Sequence, residues 1–490
     1  MQTVLMILLP LLPLVMAAVR YFLIRQDDGK AANVFHGAAL IINLVLTILV
    51  ILQGDIQLEL MNLMGRLPIV LRSDLLSRVF LVLVSVMWLI SGLFSFGYMK
   101  HEPEGRRRYD AFFLLTLFAM NGLCLSGTLV TMYLFFEMMT LLSIAMVIHT
   151  GTREALAAGM KYLLYSVAGA MLGLLGIFFF VPGTSTQIFT PGGALTAEAA
   201  AGGLPLVVVF LAVIGFGAKA GMFPLHGWLP TAHPIAPAPA SAVLSGVITK
   251  MGVLCIIRIL YYVVGAEYLR GTWVQTALVI LALVTVFMGS MMAFSVTVFK
   301  KRLAYSTISQ VSYILFGLFL LQPQAFAGSM LHLIFHGVMK NLLFLCAGAV
   351  ICKTGLTDVR DLTGIGKKMP ITMWCFTLAG VGLVGVPPLP GFLSKWELVG
   401  GSLNSGLPVL NWLGPVVLLI SALLTAGYLL PVSINGFFPG EERQGLYTFQ
   451  EASPLMVALL VVLAAMLVLL GLWPQGILKA AETLAASLMM

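Results

Sequence analysis

Apolar runs of about 20 residues recur along the whole chain, and they constrain its fold more than any other feature. A helix of about 20 residues is what crosses the hydrocarbon core of a bilayer. Only 9% of the 490 residues are charged and the mean hydropathy is +1.04, whereas soluble domains carry about 25% charged residues. Strand-like alternation is absent, which favours helices over a barrel. The sequence therefore predicts an all-α integral membrane protein.

Fourteen apolar segments can be placed as transmembrane helices. We divide them into three N-terminal spans (residues 1–109), a first repeat of spans four to eight (110–262), a second repeat of spans nine to thirteen (273–437), and a last span with its tail (455–490). The predicted spans are residues 2–24, 33–53, 74–98, 110–127, 130–149, 159–182, 204–221, 239–262, 273–299, 303–321, 327–351, 371–400 (interrupted), 409–437 and 455–474.

Basic residues mark one side of this predicted bundle. The loops after spans one, three, five, nine, eleven and thirteen hold most of them, and the opposite loops hold only Arg66, Arg72, Arg270 and Lys479. Because basic loops stay in the cytoplasm, both termini are predicted outside a cell (plasma or inner) membrane. The net charge of +8 thus reflects topology, and no nucleic-acid partner is expected. The residues on the basic side are Arg20, Arg25, Lys30, Lys100, Arg106, Arg107, Arg108, Arg153, Lys300, Lys301, Arg302, Lys353, Arg360, Lys367, Lys368 and Arg443.

The seventh span is predicted to break. In the segment 213–258, an apolar helix carries Lys219 and then meets Gly221 and Pro224, and the helix that follows a Pro-rich connector carries Lys250. A charge at the bilayer centre costs about 2.5–3.5 kcal/mol on insertion scales. These lysines therefore indicate a buried, hydrated path for a proton or cation. The alternative is that they extend to the interface.

The twelfth span is interrupted as well. Pro387, Pro388, Pro390 and Gly391 lie inside an apolar run, with Lys395 just after them. Irregular backbone at membrane depth persists only where protein or a water-filled cavity covers it. The two broken helices lie five spans apart, so equivalent helices run in opposite directions. This pattern predicts two inverted-topology repeats of five helices, with a transport site near the midplane.

Glu137 is the only carboxylate in the fifth predicted span. An unpaired carboxylate in hydrocarbon would protonate, so an ionised one needs a partner. Lys219 is the candidate partner, although the sequence cannot show contact between different spans. The alternative is a neutral or interfacial Glu137.

His332, His336 and Lys340 are spaced four residues apart in the eleventh span, which places them along one face of a helix. Imidazole can both donate and accept a proton near neutral pH, so this face suits a proton relay. Two alternatives remain open. The histidines could be packed, hydrogen-bonded core residues, or metal ligands, although no Asp or Glu on the same helix supports a metal.

Seven residues form what we call the ionisable axis: Glu137, Lys219, Lys250, His332, His336, Lys340 and Lys395. Burial favours the neutral form of a lysine and a nearby carboxylate favours the charged form. A carboxylate that moves toward or away from Lys219 could thus drive proton transfer without a chemical reaction. The predominance of Lys and His favours protons over sodium. The five cysteines form no CxxC pair, and no metal site, catalytic residue or cofactor is predicted.

The chain resembles the antiporter-like subunits of respiratory complex I, of energy-converting membrane hydrogenases and of Mrp-type Na⁺/H⁺ antiporters. The resemblance covers spans three to thirteen and rests on FFEMMT, GFGAKAGMFPLHGWLPTAHPIAPAPASAVLSGVITKMGV, KKRLAYSTISQ, HLIFHGVMKNLLFLCAGAVI and GVPPLPGFLSKW. The chain ends soon after span fourteen, as in the middle-sized members.

The resemblance implies a role for each residue of the ionisable axis. Glu137 and Lys219 would be the coupling ion pair, and Lys250 the central relay. His332, together with His336, would bridge the two halves, and Lys395 would be the terminal site toward the outside. Lys395 departs from one complex I subunit that has glutamate at this position.

The function expected from this resemblance is proton translocation by a subunit of a larger membrane complex. The chain shows no motif for NADH, flavin, quinone or ATP, so neighbouring redox subunits would supply the energy. The expected partners are antiporter-like paralogues, small membrane subunits, the lipid bilayer and transported H⁺, with Na⁺ carried elsewhere in the complex if at all. One alternative is an Mrp-type Na⁺/H⁺ antiporter subunit. Another is an inert scaffold whose buried charges only hold the spans in register.

Overall fold

The computed structural model describes residues 2–24, 29–65, 67–101, 104–440 and 450–489, and most of them are helical. Arg25, Arg66 and Arg443, on which the predicted topology partly depends, lie outside the described residues. The helices are α1 (Gln2–Phe22), α2 (Lys30–Leu52), α3 (Leu75–Tyr98), α4 (Arg106–Cys124), α5 (Leu129–Val147), α6 (Arg153–Gly183), α7 (Ala197–Ala200), α8 (Leu204–Ala220), α9 (Leu229–Ile235), α10 (Ala238–Val243), α11 (Thr249–Ile257), α12 (Ala266–Leu269), α13 (Trp273–Ser295), α14 (Phe299–Phe319), α15 (Pro323–Thr354), α16 (Pro370–Val384), α17 (Pro390–Leu403), α18 (Leu410–Phe437), α19 (Pro454–Leu472) and α20 (Gln475–Leu488).

The predicted class, a helical integral membrane protein, is confirmed. Within the described residues, ten helices are long and apolar enough to cross a membrane, and α8 and α16 are shorter apolar helices. One of the ten is a continuous helix, Ala238–Val264, in which π-helical segments at Leu244–Ile248 and Arg258–Val264 flank α11. The count of fourteen spans stays a prediction.

A two-stranded hairpin between α2 and α3 was not predicted. Strand β1 (Ile56–Leu63) pairs antiparallel with β2 (Leu67–Ser73), with Ile56 opposite Ser73. The statement that strand-like alternation is absent was wrong here, because the sequence IQLEL alternates apolar and polar residues. Strand β1 is largely exposed, whereas the middle of β2 is buried.

Both predicted helix breaks are present, with one correction. Helix α8 ends at Gly221, which has a φ of +81°, and α16 ends at Gly385, with a φ of +95°. Both are left-handed C-caps, a conformation that glycine adopts without the cost of a Cβ. Pro387 lies in the second break, as predicted, but Pro390 and Gly391 begin the second half-helix, where proline suits the first turn. Gly385, which was not predicted as a break residue, is the residue at which helix α16 ends.

Proline also determines a polar contact among the N-terminal helices. Pro13 inside α1 has no backbone N–H, so the carbonyl of Leu9 lacks its usual helical partner. Asn121 of α4 donates to that carbonyl at 3.1 Å and to Asn43 Oδ1 of α2 at 2.8 Å. This side chain therefore joins three helices at a buried site.

Two arginines on the basic side of the chain are not solvated loop charges. Arg20, in the last turn of α1, is fully buried and its Nη2 lies 2.9 Å from Asp110 Oδ2 of α4. Arg106 is also fully buried beside the same carboxylate, at 3.8 Å. The Arg20–Asp110 pair therefore joins α1 to α4, and Arg106, which lies on α4 with Asp110, donates to Asn33 of α2.

The centre of the bundle is formed by the continuous helix Ala238–Val264 and by α15, which are buried almost throughout. Helix α15 packs against α3, α10, α14, α16, α17, α19 and α20. Because every side of α15 meets protein, polar residues on it avoid lipid.

Candidate functional site

Lys219 lies in the last turn of α8 inside a cage of hydroxyl groups. Its Nζ donates hydrogen bonds to Thr140 Oγ1 at 2.9 Å, to Tyr162 Oη at 2.6 Å and to Ser166 Oγ at 3.3 Å. An ammonium group has three N–H donors, so the cage can satisfy all of them. Helices α6 and α8 can approach this closely because position 215 is a glycine. A Cβ there would lie 2.4 Å from the Gly169 carbonyl oxygen, which is too close for two packed atoms. The cage offsets the cost of burying the lysine.

Glu137 does not contact Lys219. The two side chains form no ion pair within 4.0 Å in the described chain, and the half-buried carboxylate interacts instead with Tyr133, one turn earlier on α5. Thr140, which does bind Lys219, lies one turn later on the same helix. Glu137 is therefore one turn away from the cage, and the predicted contact is not formed in this conformation.

Lys250 is fully buried in α11 and binds a backbone carbonyl. Its Nζ donates to the Ser245 carbonyl oxygen at 2.5 Å, and Thr249 Oγ1 lies 3.5 Å away. Ser245 belongs to the first π-helical segment, and such segments are frequent at functional sites. The Ser245 hydroxyl is hydrogen-bonded to Thr307 of α14 at 2.7 Å. Lys250 therefore faces the protein interior.

His332 and His336 stack on one another within α15, with ring centroids 5.8 Å apart. His332 is hydrogen-bonded through Nδ1 to Ser394 Oγ at 2.9 Å and through Nε2 to Gln310 Oε1 at 3.2 Å. Both nitrogens of His336 are buried without a hydrogen-bond partner among the described residues. In the same part of the chain, no group of three or more His, Cys, Asp or Glu residues suits a metal ion.

Lys340 connects this histidine pair to α14 and α18. Its Nζ donates to Ser306 Oγ at 2.7 Å and to the Leu303 carbonyl at 3.1 Å. The Tyr428 hydroxyl donates to the same Ser306 oxygen at 2.7 Å. Lys340 thus begins a chain of hydroxyl groups that runs from α15 through Ser306 of α14 to Tyr428 of α18.

Lys395 binds the end of the broken helix α16. Its Nζ donates to the carbonyls of Leu383 and Val384 at 2.7 and 2.8 Å. These are last-turn carbonyls without helical partners, and a cation is favoured at this negative end of the helix dipole. The nitrogen also lies 5.2 Å from the ring centroid of Tyr313, which stacks on His332.

The structure therefore joins one part of the ionisable axis by direct contacts, whereas Glu137 does not contact Lys219. Lys395, Tyr313 and the two histidines are continuous, and Lys340 follows one turn later on α15. Lys219 packs directly against α11, since a Cβ added to Gly252 of α11 would lie 3.1 Å from the Cβ of Lys219. Since Lys219 and Lys250 are buried, extension to the interface does not explain them.

The family model described as NADH:quinone oxidoreductase/Mrp antiporter, TM, matches residues 126–437. This part of the chain contains all seven residues of the ionisable axis. The chain belongs to this family.

Related proteins match over most of the chain. The NADH-quinone oxidoreductase subunit N of Desulforudis audaxviator is 33% identical over 420 residues, covering 83% of this chain and 82% of that protein. An Na(+)/H(+) antiporter subunit of Alkalihalophilus pseudofirmus is 31% identical over 444 residues, covering 90% and 87%. A chain of the Mrp complex from Dietzia sp. DQ12-45-1b superposes with a TM-score of 0.86 over 100% of this chain and 97% of that one. At 22% identity, this last similarity shows a shared fold.

Several residues that contact the axis in this member of the NADH:quinone oxidoreductase/Mrp antiporter family were missed in the sequence. They are hydroxyl or amide residues without charge, so composition does not distinguish them from packing residues. Helical spacing held a partial signal: Tyr162 and Ser166 are separated by four residues, and Ser394 precedes Lys395. The missed residues are Thr140, Tyr162, Ser166, Ser306, Gln310, Ser394 and Tyr428.

Proposed function

We propose that the protein is a proton-translocating subunit of a larger membrane complex and that protons move along the ionisable axis. The observation that carries this proposal is the run from the half-buried Lys395 through Tyr313 to His332 and His336, which are fully buried in protein and not in lipid. Ionisable groups inside transmembrane bundles mark proton or ion pathways. The partners would be antiporter-like paralogues and small membrane subunits.

Glu137 would act as the movable charge. It is half-buried one turn from the Lys219 cage, and Lys219 already holds three neutral oxygens. Approach of the carboxylate would favour the charged amine, and its withdrawal would favour release of a proton toward Lys250. Neighbouring subunits would therefore drive the cycle by moving Glu137 and need no chemistry in this chain.

The arrangement in the membrane is also part of the proposal. Both termini would lie outside the plasma membrane, with residues 110–262 and 273–437 as the inverted repeats. The two glycine-capped breaks, at Gly221 and Gly385, support the repeats. Impermeant thiol labelling of single cysteines placed in the α2–α3 hairpin and in the 355–369 loop would test the orientation. Labelling of the hairpin from the cytoplasmic side would refute it.

Glu137→Gln and Lys219→Ala test the proposed function in inverted membrane vesicles. We expect both variants to assemble and to lose most proton pumping per turnover of the whole complex. An inert scaffold predicts the reverse, with poor assembly and normal pumping per assembled complex. The measurement is dye-reported vesicle acidification, normalised to assembled complex and to turnover.

An Mrp-type Na⁺/H⁺ antiporter subunit is the second candidate, supported by the 31% identity to the Alkalihalophilus pseudofirmus antiporter protein over 90% of the chain. The two functions differ in their driving force. Acidification that requires an electron donor and proceeds without Na⁺ supports the redox-driven complex. Proton movement that follows an imposed Na⁺ gradient without any donor supports the antiporter.

A further inference from the structure

A cavity of about 190 Å³ lies at the basic end of the bundle, outside the ionisable axis. It is enclosed where the first turn of α14 meets the last turns of α18 and the short 3₁₀ turn Val359–Leu362. One water takes a share of roughly 30 Å³ in the liquid, so the cavity can hold a larger polar group. Its lining residues are Arg302, Val359, Arg360, Pro431, Val432 and Asn435.

Arg302 is fixed in the wall of this cavity by two backbone carbonyls. Its Nε donates to the Val296 carbonyl at 2.8 Å, and its Nη1 donates at 2.9 Å to the Tyr428 carbonyl, in the turn of α18 that Pro431 interrupts. The residue is only 9% exposed, and its Nη2 has no hydrogen-bond partner among the described residues. A buried donor without a partner is costly. The Nη2 group is therefore free to bind a ligand in the cavity.

The positive charge of Arg302 is not paired with a carboxylate. No Asp or Glu oxygen of the described chain lies within 4.0 Å of it, whereas Arg360 binds both oxygens of Asp358 at 2.8 and 3.0 Å. Lys300 and Lys301 precede Arg302 in the first turn of α14. This turn is the positive end of the helix dipole, which favours anions and disfavours cations. Three cations at this end therefore attract a negatively charged group.

The surface of α18 beside the cavity indicates which anion fits. An exposed apolar stripe with a spacing of three to four residues runs along this helix, and Pro431 belongs both to the stripe and to the cavity wall. From Pro431 to Leu419 the stripe is about 18 Å long, close to the about 15 Å of one leaflet of the hydrocarbon core. The residues of the stripe are Val416, Leu419, Leu423, Gly427, Pro431 and Ile434.

We propose that this cavity binds the phosphate of an anionic phospholipid from the leaflet on the basic side of the bundle, which we also propose to be cytoplasmic. Arg302 Nη2 would donate to a phosphate oxygen, and the acyl chains would lie along the stripe of α18. The planar guanidinium group suits phosphate oxygens, and basic pockets between transmembrane helices suit anionic headgroups. Binding needs no proton transfer, so the site is separate from the proton path.

Native mass spectrometry of the delipidated complex in detergent measures this binding. Phosphatidylglycerol and phosphatidylcholine with the same acyl chains are titrated separately. We expect phosphatidylglycerol to bind at least tenfold more tightly, and Arg302→Gln to remove most of this preference. Arg153→Gln is the matched control, because Arg153 is an exposed arginine in the first turn of α6, on the same basic side, and does not line the cavity. Its affinity should stay within twofold of wild type.

Arg360→Gln and Asp358→Asn give a test that does not depend on Arg302. Both break the same ion pair, so a structural disturbance would shift the lipid affinity in the same direction in both. The charge argument predicts opposite shifts. R360Q leaves the Asp358 carboxylate unpaired beside the cavity and should weaken phosphatidylglycerol binding at least threefold. D358N frees the Arg360 guanidinium and should strengthen this binding at least threefold. If R302Q does not assemble, these two variants decide.

The proposal is overturned by equal affinity for the two lipids, by wild-type binding in R302Q, or by an equal loss in R302Q and R153Q. Shifts of R360Q and D358N in the same direction would also overturn it. Inorganic phosphate shares the charge of the headgroup but lacks acyl chains, so a molar excess should not displace phosphatidylglycerol. Displacement would show a site for free phosphate and refute the lipid assignment.

Discussion

Tyr162→Phe gives the sharpest test of the Lys219 cage. The tyrosine hydroxyl is the closest of the three oxygens around Lys219 Nζ, at 2.6 Å. The substitution removes that oxygen and leaves the ring in place. Ser143, which is also hydrogen-bonded to this hydroxyl, keeps its bond to the Thr140 carbonyl.

The expected effect follows from the charge on the donor. A hydrogen bond to a charged group contributes about 1.5–3 kcal/mol, and 1.4 kcal/mol corresponds to a factor of ten. Loss of the Tyr162 oxygen should therefore shift the balance between the charged and neutral Lys219 amine about 10- to 150-fold toward the neutral form. A cycle that needs both forms of this lysine should slow by a similar factor.

The assay is proton pumping per turnover by the assembled complex in inverted vesicles. Tyr261→Phe is the matched control, because Tyr261 is equally buried and donates to the Leu318 carbonyl at 2.6 Å, away from the axis. We expect Y261F to lower thermal stability without a change in pumping ratio. If Y162F pumps like wild type, or if both variants lose pumping equally, the cage does not control the charge on Lys219.

Three further predictions concern stability. Asn121→Leu should lower the free energy of unfolding by about 1–3 kcal/mol, because it leaves buried polar partners without a donor; detergent-solubilised thermal unfolding measures this. Gly391→Ala should prevent normal assembly, because its Cβ would lie 2.0 Å from a carbonyl oxygen of α16; native gels measure this. Arg360 holds the pKa of Asp358 below its usual range, so Asp358→Asn should lower the melting temperature at neutral pH. That difference should shrink as the pH falls below about 4, because the unfolded-state carboxyl is protonated there while Arg360 keeps the folded-state carboxylate charged, so that unfolding takes up a proton.

Each of these has a control and a contradicting outcome. Asn404→Leu removes only one long, exposed hydrogen bond of 3.4 Å and should change little, so an equal effect would show that the buried network is unimportant. Gly476→Ala has no atom within 4 Å of the new Cβ and should assemble normally. Glu198→Gln changes an exposed carboxylate and should leave the melting temperature at neutral pH unchanged. A constant difference between D358N and wild type from pH 7 to pH 3 would refute the Asp358 argument.

Much of the candidate site could be read from the sequence because its signals are local. A lysine within an apolar run, or a proline cluster within a predicted span, is visible in a window of about 20 residues. Gly221, Lys250 and Lys395 were found in this way. The spacing of His332 and His336 was enough to place both on one face of α15.

Contacts between spans could not be predicted in this way. The sequence suggested Lys219 as the partner of Glu137, but the structure gives Lys219 three hydroxyl groups and leaves Glu137 one turn away. Hydroxyl residues carry no charge, so nothing in their local sequence separates a ligand of Lys219 from a packing residue. The surroundings of Lys340 are another example, because Ser306, to which it donates, lies on α14 and Tyr428, which donates to the same Ser306 oxygen, lies on α18.

The sequence by itself determined that the chain is a bundle of membrane-spanning helices with two breaks and buried charges, because hydrophobicity and proline act over short segments. Only the tertiary structure decided which side chain meets which charge. That choice depends on the rotation and close approach of helices far apart in the chain, as where Gly215 lets α8 approach α6 and brings Lys219 into its cage. Such packing is a property of the whole bundle and of no single span.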